Sequence, residues 1–531
     1  MASKPKQKTA IVVGAGVGGI ATAARLASAG FSVTILEKNS FTGGRCSLLT
    51  HEGYRFDQGP SLLLLPGLFA ETFADLNTSL SAEDVKLLKC DPNYNMWFGD
   101  GEKPSFLRHL FALHPFESIY SRASKYFYTE RLRRVFTFGS MYMGMSPFDA
   151  PGTYSLLQYT ELAEGIWYPV GGFHAVVAAI VRICERLGVD IRLNTPVSRV
   201  LLSSDGKTAT GVLTEAGETL TADVVVINAD LVYAYNKLLA QTSYSRSLQT
   251  RQGSCSSISF YWSLSRKVPE LSTHNIFLAD EYRESFDAIF DRQSIPREPS
   301  FYVNVPSRID PSAAPDGKDS IVVLVPVGHL LNSSSSSSST TSSSKGLPKE
   351  ELNWPALIAS TRASILSVIQ SRTHCDALEP LITHEMVNDP ITWEDTFNLD
   401  KGSILGLSHS FFNVLAFRPS TRARGLQGCY FVGASTHPGT GVPIVLAGAK
   451  VTTEQILGDL GMEIPWAGRV EGKGKVKGEI DRVRRNGGLV SDLGIWMLAI
   501  VVLVVSVFYI NSGLVVTWDW DRKRGWGSGR V

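Results

Sequence analysis

The chain has no paired cysteines. Its six, Cys46, Cys90, Cys184, Cys255, Cys375 and Cys429, stand far apart with no CxxC spacing. That excludes a disulfide framework or a zinc ribbon, and it points to a reducing compartment. An excess of charge is missing as well: 51 Lys and Arg face 50 Asp and Glu. The basic footprint of a nucleic-acid binder is therefore absent. The amino terminus lacks a secretory pattern, because residues 1–8 are polar and basic and the apolar stretch after them is soon broken by glycines. What the sequence has is length and apolar content. With 531 residues, 44% hydrophobic and 19% charged, it can form several domains around a large core.

Low complexity is confined to Ser333–Ser344, which is all Ser and Thr and cannot bury apolar area; a disordered surface insertion is expected there. Long apolar runs are rare, with one exception near the carboxyl end. Leu493–Ile510 carries no charge over 18 residues, and none follows before Asp519. A helix here is long enough to cross a bilayer, with Trp496, Tyr509 and Trp518 at interfacial positions. The preceding connector holds Lys473, Lys475, Lys477, Arg482, Arg484 and Arg485, against Arg522, Lys523, Arg524 and Arg530 on the far side. This asymmetry predicts a single-pass anchor with the large domain in the cytosol.

Elsewhere strand-like runs alternate with helix-like segments, as in an α/β fold. Thr9–Val13 reads as a buried strand leading into Gly14, Gly16, Gly18 and Gly19, and a helical pattern follows that stops at Gly30. A second strand, Ser32–Leu36, ends at Glu37, which lies 23 positions after Gly14. Strand, glycine loop, helix, strand and acid form an adenine-dinucleotide fingerprint: Gly14 permits the turn, Gly16 lets the backbone approach a pyrophosphate, and Gly19 allows close helix–sheet contact. Glu37 can accept the ribose hydroxyls and would repel a 2′-phosphate. The fingerprint alone does not separate FAD from NAD. The glycine-rich loop with Gly44 and Arg45, followed by the extended passage through Gly59, Pro60 and Ser61, suits a long flavin. Arg45 is placed either to neutralise pyrophosphate or flavin charge or to form a surface salt bridge.

Near the other end, Tyr430–Gly433 reads as a strand. A turn through His437, Pro438, Gly439 and Gly441 follows, and a helix is expected over Val442–Ile456. Its amino terminus can donate N–H groups to a flavin or a pyrophosphate. This segment resembles the signature of the bacterial- and fungal-type phytoene desaturases, the FAD-dependent carotenoid desaturase family, and is most like the fungal members. The similarity extends to the Trp167–Phe173 turn, to the strand from Val224 into Asn228 and Asp230, to Gly402–Leu407 and to Arg418–Pro419. It covers most of Thr9–Gly458. One departure stands out: the turn after Asn93–Gly101 runs quickly into Phe111–Tyr128, where the family usually has a longer, mainly helical stretch.

The resemblance implies a Rossmann-like FAD-binding domain (1–92, 166–245, 401–462) interleaved with a mixed α+β substrate domain (93–165, apparently shortened, and 246–400), then a basic linker (463–492) and a transmembrane helix (493–518). FAD would be held by Gly14, Gly16, Gly19, Glu37, Gly44, Arg45, Gly59, Pro60, Ser61, Gly433, Gly441 and Val442, with Val197 touching the adenine through its backbone. Phe173–Leu187 reads as a helix, and Asp190–Leu202 as one strand. Aromatics crowd Tyr126–Tyr154 and Phe411–Phe417. They read as ordinary core or as the lining of an apolar tunnel for a lipid-soluble polyene, phytoene, drawn from the membrane.

The implied reaction removes a hydride and a proton from adjacent carbons, the hydride going to the flavin. No catalytic residue is assigned; Asp149, Glu164, His409 and His437 are the polar candidates for a base. The final electron acceptor is oxygen or a quinone. His384-Glu385 lacks the second His of a metalloprotease helix, so no metal is expected. A polyene isomerase and a prenyl-binding escort protein of the same fold are the alternatives, and the intact fingerprint counts against the escort.

Overall fold

The computed structural model describes residues 7–97, 117–331, 347–348, 352–414 and 417–467. Strands β1 (Thr9–Val13), β2 (Ser32–Leu36), β3 (Asn95–Trp97), β4 (Asp190–Arg192), β5 (Val224–Ile227), β6 (Ser256–Leu264), β7 (His274–Phe277), β8 (Phe301–Asn304), β9 (Asp319–Val327), β10 (Ile382–Asn388) and β11 (Cys429–Phe431) make two sheets. The first is wholly parallel, in the order β11-β5-β1-β2-β4. The second runs β10-β6-β9-β8-β7-β3 and is antiparallel except for the β3–β7 pair. Both belong to one compact unit, Met1–Trp466. The second unit, Ala467–Val531, lies outside the described residues apart from Ala467.

Side chains alternate across a strand, so β1 feeds two cores. Ala10 and Val12 join Val33, Ile35, Val224 and Val226 in the core shared with helices α1 (Val17–Ser28), α2 (Pro66–Asp75), α3 (His174–Arg186) and α4 (Val442–Asp459). Ile11 and Val13 face the other way, with Val225 and Ile227, onto Val197, Val200 and Val212. A strand buried on both faces has no polar alternation, which is why β1 and β5 read as unbroken apolar runs.

The second sheet divides its faces similarly. Ile321, Val323, Val325 and Val327 of β9 pack with Phe260 and Trp262 of β6 and with Ile365 and Ile369 of the Trp354–Thr373 helix. Leu324 and its neighbours on the opposite face look toward the first sheet. Glycines and one acid thus lie at the carboxyl ends of parallel strands, opposite an apolar sheet face.

One expectation needs correction. Asp190–Leu202 is two strands, not one: β4 pairs with β2, whereas Val197–Leu202 pairs with Ala209–Thr214 in a separate three-stranded sheet. Between them Asn194 takes φ +51° and Thr195 donates its N–H to the Glu37 carbonyl, so the chain turns from one layer to the next. The expected insertion Ser333–Ser344 and the expected membrane helix 493–518, with the linker from residue 468 on, lie outside the described residues. Among the described residues no helix is long and apolar enough to cross a membrane.

Candidate active site

A cavity of about 750 Å³ opens between the two sheets. Twelve of the thirteen residues expected to hold the cofactor line it: Gly14, Gly16, Glu37, Gly44, Arg45, Gly59, Pro60, Ser61, Val197, Gly433, Gly441 and Val442. Gly19 is the exception. A Cβ there would sit 2.1 Å from the Gly14 carbonyl oxygen, so Gly19 acts by letting α1 close onto the loop and not from the cavity wall.

Two helix amino termini face this space. Gly16 caps α1 and Gly441 caps α4, neither cap offers a side chain to the first-turn N–H groups, and Val17, Gly18, Val442 and Val445 all line the cavity. Orphan N–H groups at a helix start, with the positive end of the helix dipole, favour an anion. At the end of β2, Glu37 is 7% exposed; its carboxylate accepts from Ala15 N at 2.7 Å and from Asn39 N at 2.9 Å. These bonds fix it in place while leaving lone pairs for a ribose.

Arg45 is half-buried and donates to the Ile404 carbonyl, and among the described residues it makes no ion pair. The surface salt bridge is therefore not its role. Burial lowers its pKa, and nearby Asp230 opposes that shift. Asp230 accepts from Val232 N and Tyr233 N, and burial raises its own pKa. Beside it Asp400 is pushed up to about 7 by burial and by the Asp230 charge.

The sequence motifs did not single out Asn228 as a contact. Its Nδ2 donates to the Val432 carbonyl at 2.8 Å, whereas Oδ1 is buried with no partner and stands 2.6 Å from where a Cβ on Gly16 would be. An acceptor without a partner, a half-buried guanidinium with no ion pair among the described residues, two uncapped helix starts and a fixed carboxylate form a donor and acceptor set suited to FAD.

The rest of the cavity is mostly apolar. Phe138, Met141, Tyr142 and Leu157 line it, together with Ser257, Ile276, Tyr302 and Leu324 from the second sheet. Of the aromatics expected to form a tunnel, only Phe138 and Tyr142 do so. Tyr126 and Tyr128 are 61% and 96% exposed, and Phe412 is 72% exposed, while Phe136 and Phe148 pack beside Tyr282 and Phe286. Short helices with aromatics on every side must turn some of them to solvent.

The four candidate bases also sit elsewhere. Asp149, Glu164 and His437 are solvent-exposed. His409 is buried, with Nδ1 against the Met143 carbonyl and Nε2 unpartnered, but it does not line the cavity; burial and the Arg418 charge pull its pKa down to about 3. Among the described residues no cluster of three His, Cys, Asp or Glu could hold a metal.

Comparison with known proteins agrees with this geometry. The FAD dependent oxidoreductase family matches residues 9–270. A phytoene desaturase of Cercospora nicotianae is 54% identical over an alignment of 634 positions, spanning 99% of this chain and 100% of that protein. The chain has 531 residues, so more than a hundred positions of that alignment have no residue here. A phytoene desaturase of Neurospora crassa is 56% identical over 88% of each chain. Among solved structures, an oxidoreductase from Methanosarcina mazei shares the fold with a TM-score of 0.61 at 16% identity, covering 84% of this chain and 100% of its own. The cavity joins a dinucleotide cradle to a hydrocarbon wall, and relatives above 50% identity span nearly the whole chain: it belongs to the phytoene desaturases, a family of FAD-dependent oxidoreductases.

Proposed function

We propose that this protein introduces double bonds into phytoene and its partly desaturated products, holding FAD in the cradle and the polyene along the apolar wall. The observation that carries this reading is the continuity of the cavity: Gly16, Glu37 and Arg45 share one space with Phe138, Leu157 and Leu324, and nothing polar is offered along that wall beyond a few hydroxyls. When bound, FAD supplies a two-electron acceptor for a hydride equivalent, a role that no side chain here can fill.

The chain's own residues do the rest. The first-turn N–H groups of α1 and the Arg45 guanidinium bind the pyrophosphate, and Glu37 holds the adenosine ribose. Val197 would contact the adenine through its backbone, and the α4 amino terminus would offer partial positive charge to the flavin ring or the pyrophosphate. Gly44, Gly59, Pro60, Ser61 and Gly433 give the cofactor its close backbone walls. Phe138, Leu157, Ile276 and Leu324 orient the polyene by shape and dispersion and keep water from the reacting carbons. Electrons leave the site to oxygen or a quinone. Leu493–Ile510 anchors the chain in a membrane that dissolves the substrate, with the enzyme domain on the cytosolic side. The uncharged 18-residue run and the basic connector support that reading.

The test is anaerobic. Flavin-loaded protein mixed with phytoene in liposomes should lose its flavin absorbance as a red-shifted polyene spectrum appears, one product double bond per flavin bleached. A polyene shift without flavin bleaching would turn the reading to isomerisation, and a protein that binds no flavin would end it. For the anchor, the full chain should float with liposomes and resist carbonate extraction; release by carbonate would remove the membrane-spanning part of the proposal.

A further inference from the structure

The apolar wall contains a polar assembly of which the flavin cradle uses only the backbone of Ser61. In the second sheet His274 of β7 pairs with Asn304 of β8, and Tyr302, two residues before Asn304, lies on the same face. Tyr302 and Ser61 both line the cavity, whereas His274 lies fully buried behind them. The Tyr302 hydroxyl stands 2.7 Å from His274 Nδ1 and accepts a hydrogen bond from Ser61 Oγ at 2.8 Å. Asn304 Nδ2 is 3.2 Å from the same Nδ1, and Cys90 Sγ is 3.3 Å from Nε2.

These neighbours decide the tautomer. Asn304 Nδ2 donates to the Thr273 carbonyl at 2.9 Å, which fixes its amide with the NH₂ toward the ring. An NH₂ group can only donate, so Nδ1 is bare and its proton sits on Nε2, facing the Cys90 sulfur. The Tyr302 oxygen already accepts from Ser61, so its own proton is free to point at Nδ1. The result is a neutral imidazole whose Nδ1 lone pair faces the Tyr302 hydroxyl and, at the longer distance, the Asn304 amide, and it is reached from the cavity through that one hydroxyl.

We infer that Tyr302 is the catalytic residue that takes the proton in the dehydrogenation and that His274 is the positioning residue that takes the Tyr302 proton in turn. This rests on the desaturase reading above. In the step, one carbon gives a hydride, a proton with two electrons, to FAD, the oxidant that the family's activity supplies. The C–H bond on the adjacent carbon breaks, and its electron pair becomes the new double bond. That proton bonds to Tyr302 Oη while the phenolic proton passes to His274 Nδ1. Among the described residues no carboxylate hydrogen-bonds to His274, and burial pulls its pKa down to about 3, so the ring is neutral before each turnover and gives the proton back over the same two hydrogen bonds toward Ser61.

Two measurements test this, one of which needs no flavin. In flavin-free protein labelled with ¹⁵N-histidine, His274, assigned by loss of its signal in His274→Gln, should show a protonated Nε2 and a bare Nδ1 between about pH 5 and 8. Tyr302→Phe should shift the Nδ1 resonance. A protonated Nδ1 overturns the inference, because that atom then has nowhere to put a second proton. In flavin-loaded enzyme, Tyr302→Phe should lower kcat for phytoene by about 100-fold or more, with KM and flavin content unchanged. It should also enlarge the isotope effect from deuterium at the proton-losing carbon. A kcat within about twofold of the parent, or an unchanged isotope effect, also overturns it. If His274→Gln does not fold, Tyr302→Phe assigns the resonance by its shift and both readouts stand. If the parent enzyme leaves phytoene untouched, the desaturase reading fails, while the nitrogen spectra still report on the Tyr302–His274 pair.

Discussion

The two sheets frame the same cavity by opposite means. At the parallel sheet a stretch of 29 residues, Thr9–Glu37, supplies strand, glycine loop, helix, strand and acid, and nearly all of its special positions reach the cavity. At the antiparallel sheet the wall is assembled from single side chains far apart in the chain, among them Ser257, Ile276, Tyr302 and Leu324, with Phe138 and Leu157 from the helical segments. The difference follows from the ligands. A pyrophosphate is recognised by backbone N–H groups and fixed charge, which one turn can present. A hydrocarbon is recognised by shape alone, which any properly folded set of apolar residues can provide.

The contrast can be broken most severely at Gly19. Gly19→Val places carbon 2.1 Å from the Gly14 carbonyl oxygen, so helix and loop must separate; flavin affinity should fall by more than ~100-fold, read from flavin absorbance of the purified protein. Retention of flavin would show that the tight turn is dispensable. Next comes Arg45→Met, which removes a half-buried cation that makes no ion pair among the described residues and should weaken FAD binding about 10–100-fold, measured by titration of flavin-free protein.

On the hydrocarbon side, Leu324→Asn puts an unpartnered amide into the apolar wall. KM for phytoene should rise about tenfold with flavin content unchanged, and a loss of flavin instead would mean that the two walls are not separable. The smallest effect concerns Glu161, which is fully buried, accepts from Tyr94 Oη at 2.9 Å, and leaves its other oxygen unpartnered. Burial pushes its pKa up to about 7 from 4.5. A carboxyl raised in the folded state contributes stability that is present below its unfolded pKa and lost as pH rises through the folded one. Glu161→Gln should therefore raise Tm by about 1–3 °C near pH 8 and by nothing near pH 4, followed by calorimetry. His274 works in the other direction: its pKa is depressed to about 3 from 6.5, so its share of stability is lost as pH falls through that interval.

Legibility in the sequence follows the same division. Twelve of the thirteen cofactor positions were readable as cavity residues because glycines at a strand end, and an acid at the next strand end, have local causes. Asn228 was visible only as a neighbour of a familiar strand, since its role comes from a partnerless oxygen that no spacing announces. The hydrocarbon wall was mostly illegible. From Ile321 to Val327 β9 is apolar, and nothing in its letters separates Leu324, on the cavity, from Val323, in the core. The aromatic clusters misled for a related reason: proximity in the chain gathers rings without aiming them. His437, inside the most recognisable motif, points to solvent, while His274, in an unremarked strand, stands one hydroxyl from the cavity.

By itself the amino-acid order determined that this protein builds a parallel sheet suited to an adenine dinucleotide, because a tight turn, a helix start and a strand-end carboxylate are consequences of neighbouring residues. Which side chains meet the polyene, and where a proton could leave it, was decided only when two sheets folded face to face. Contacts between residues hundreds of positions apart depend on strand register and face, and an apolar strand obeys the same chemistry on either side.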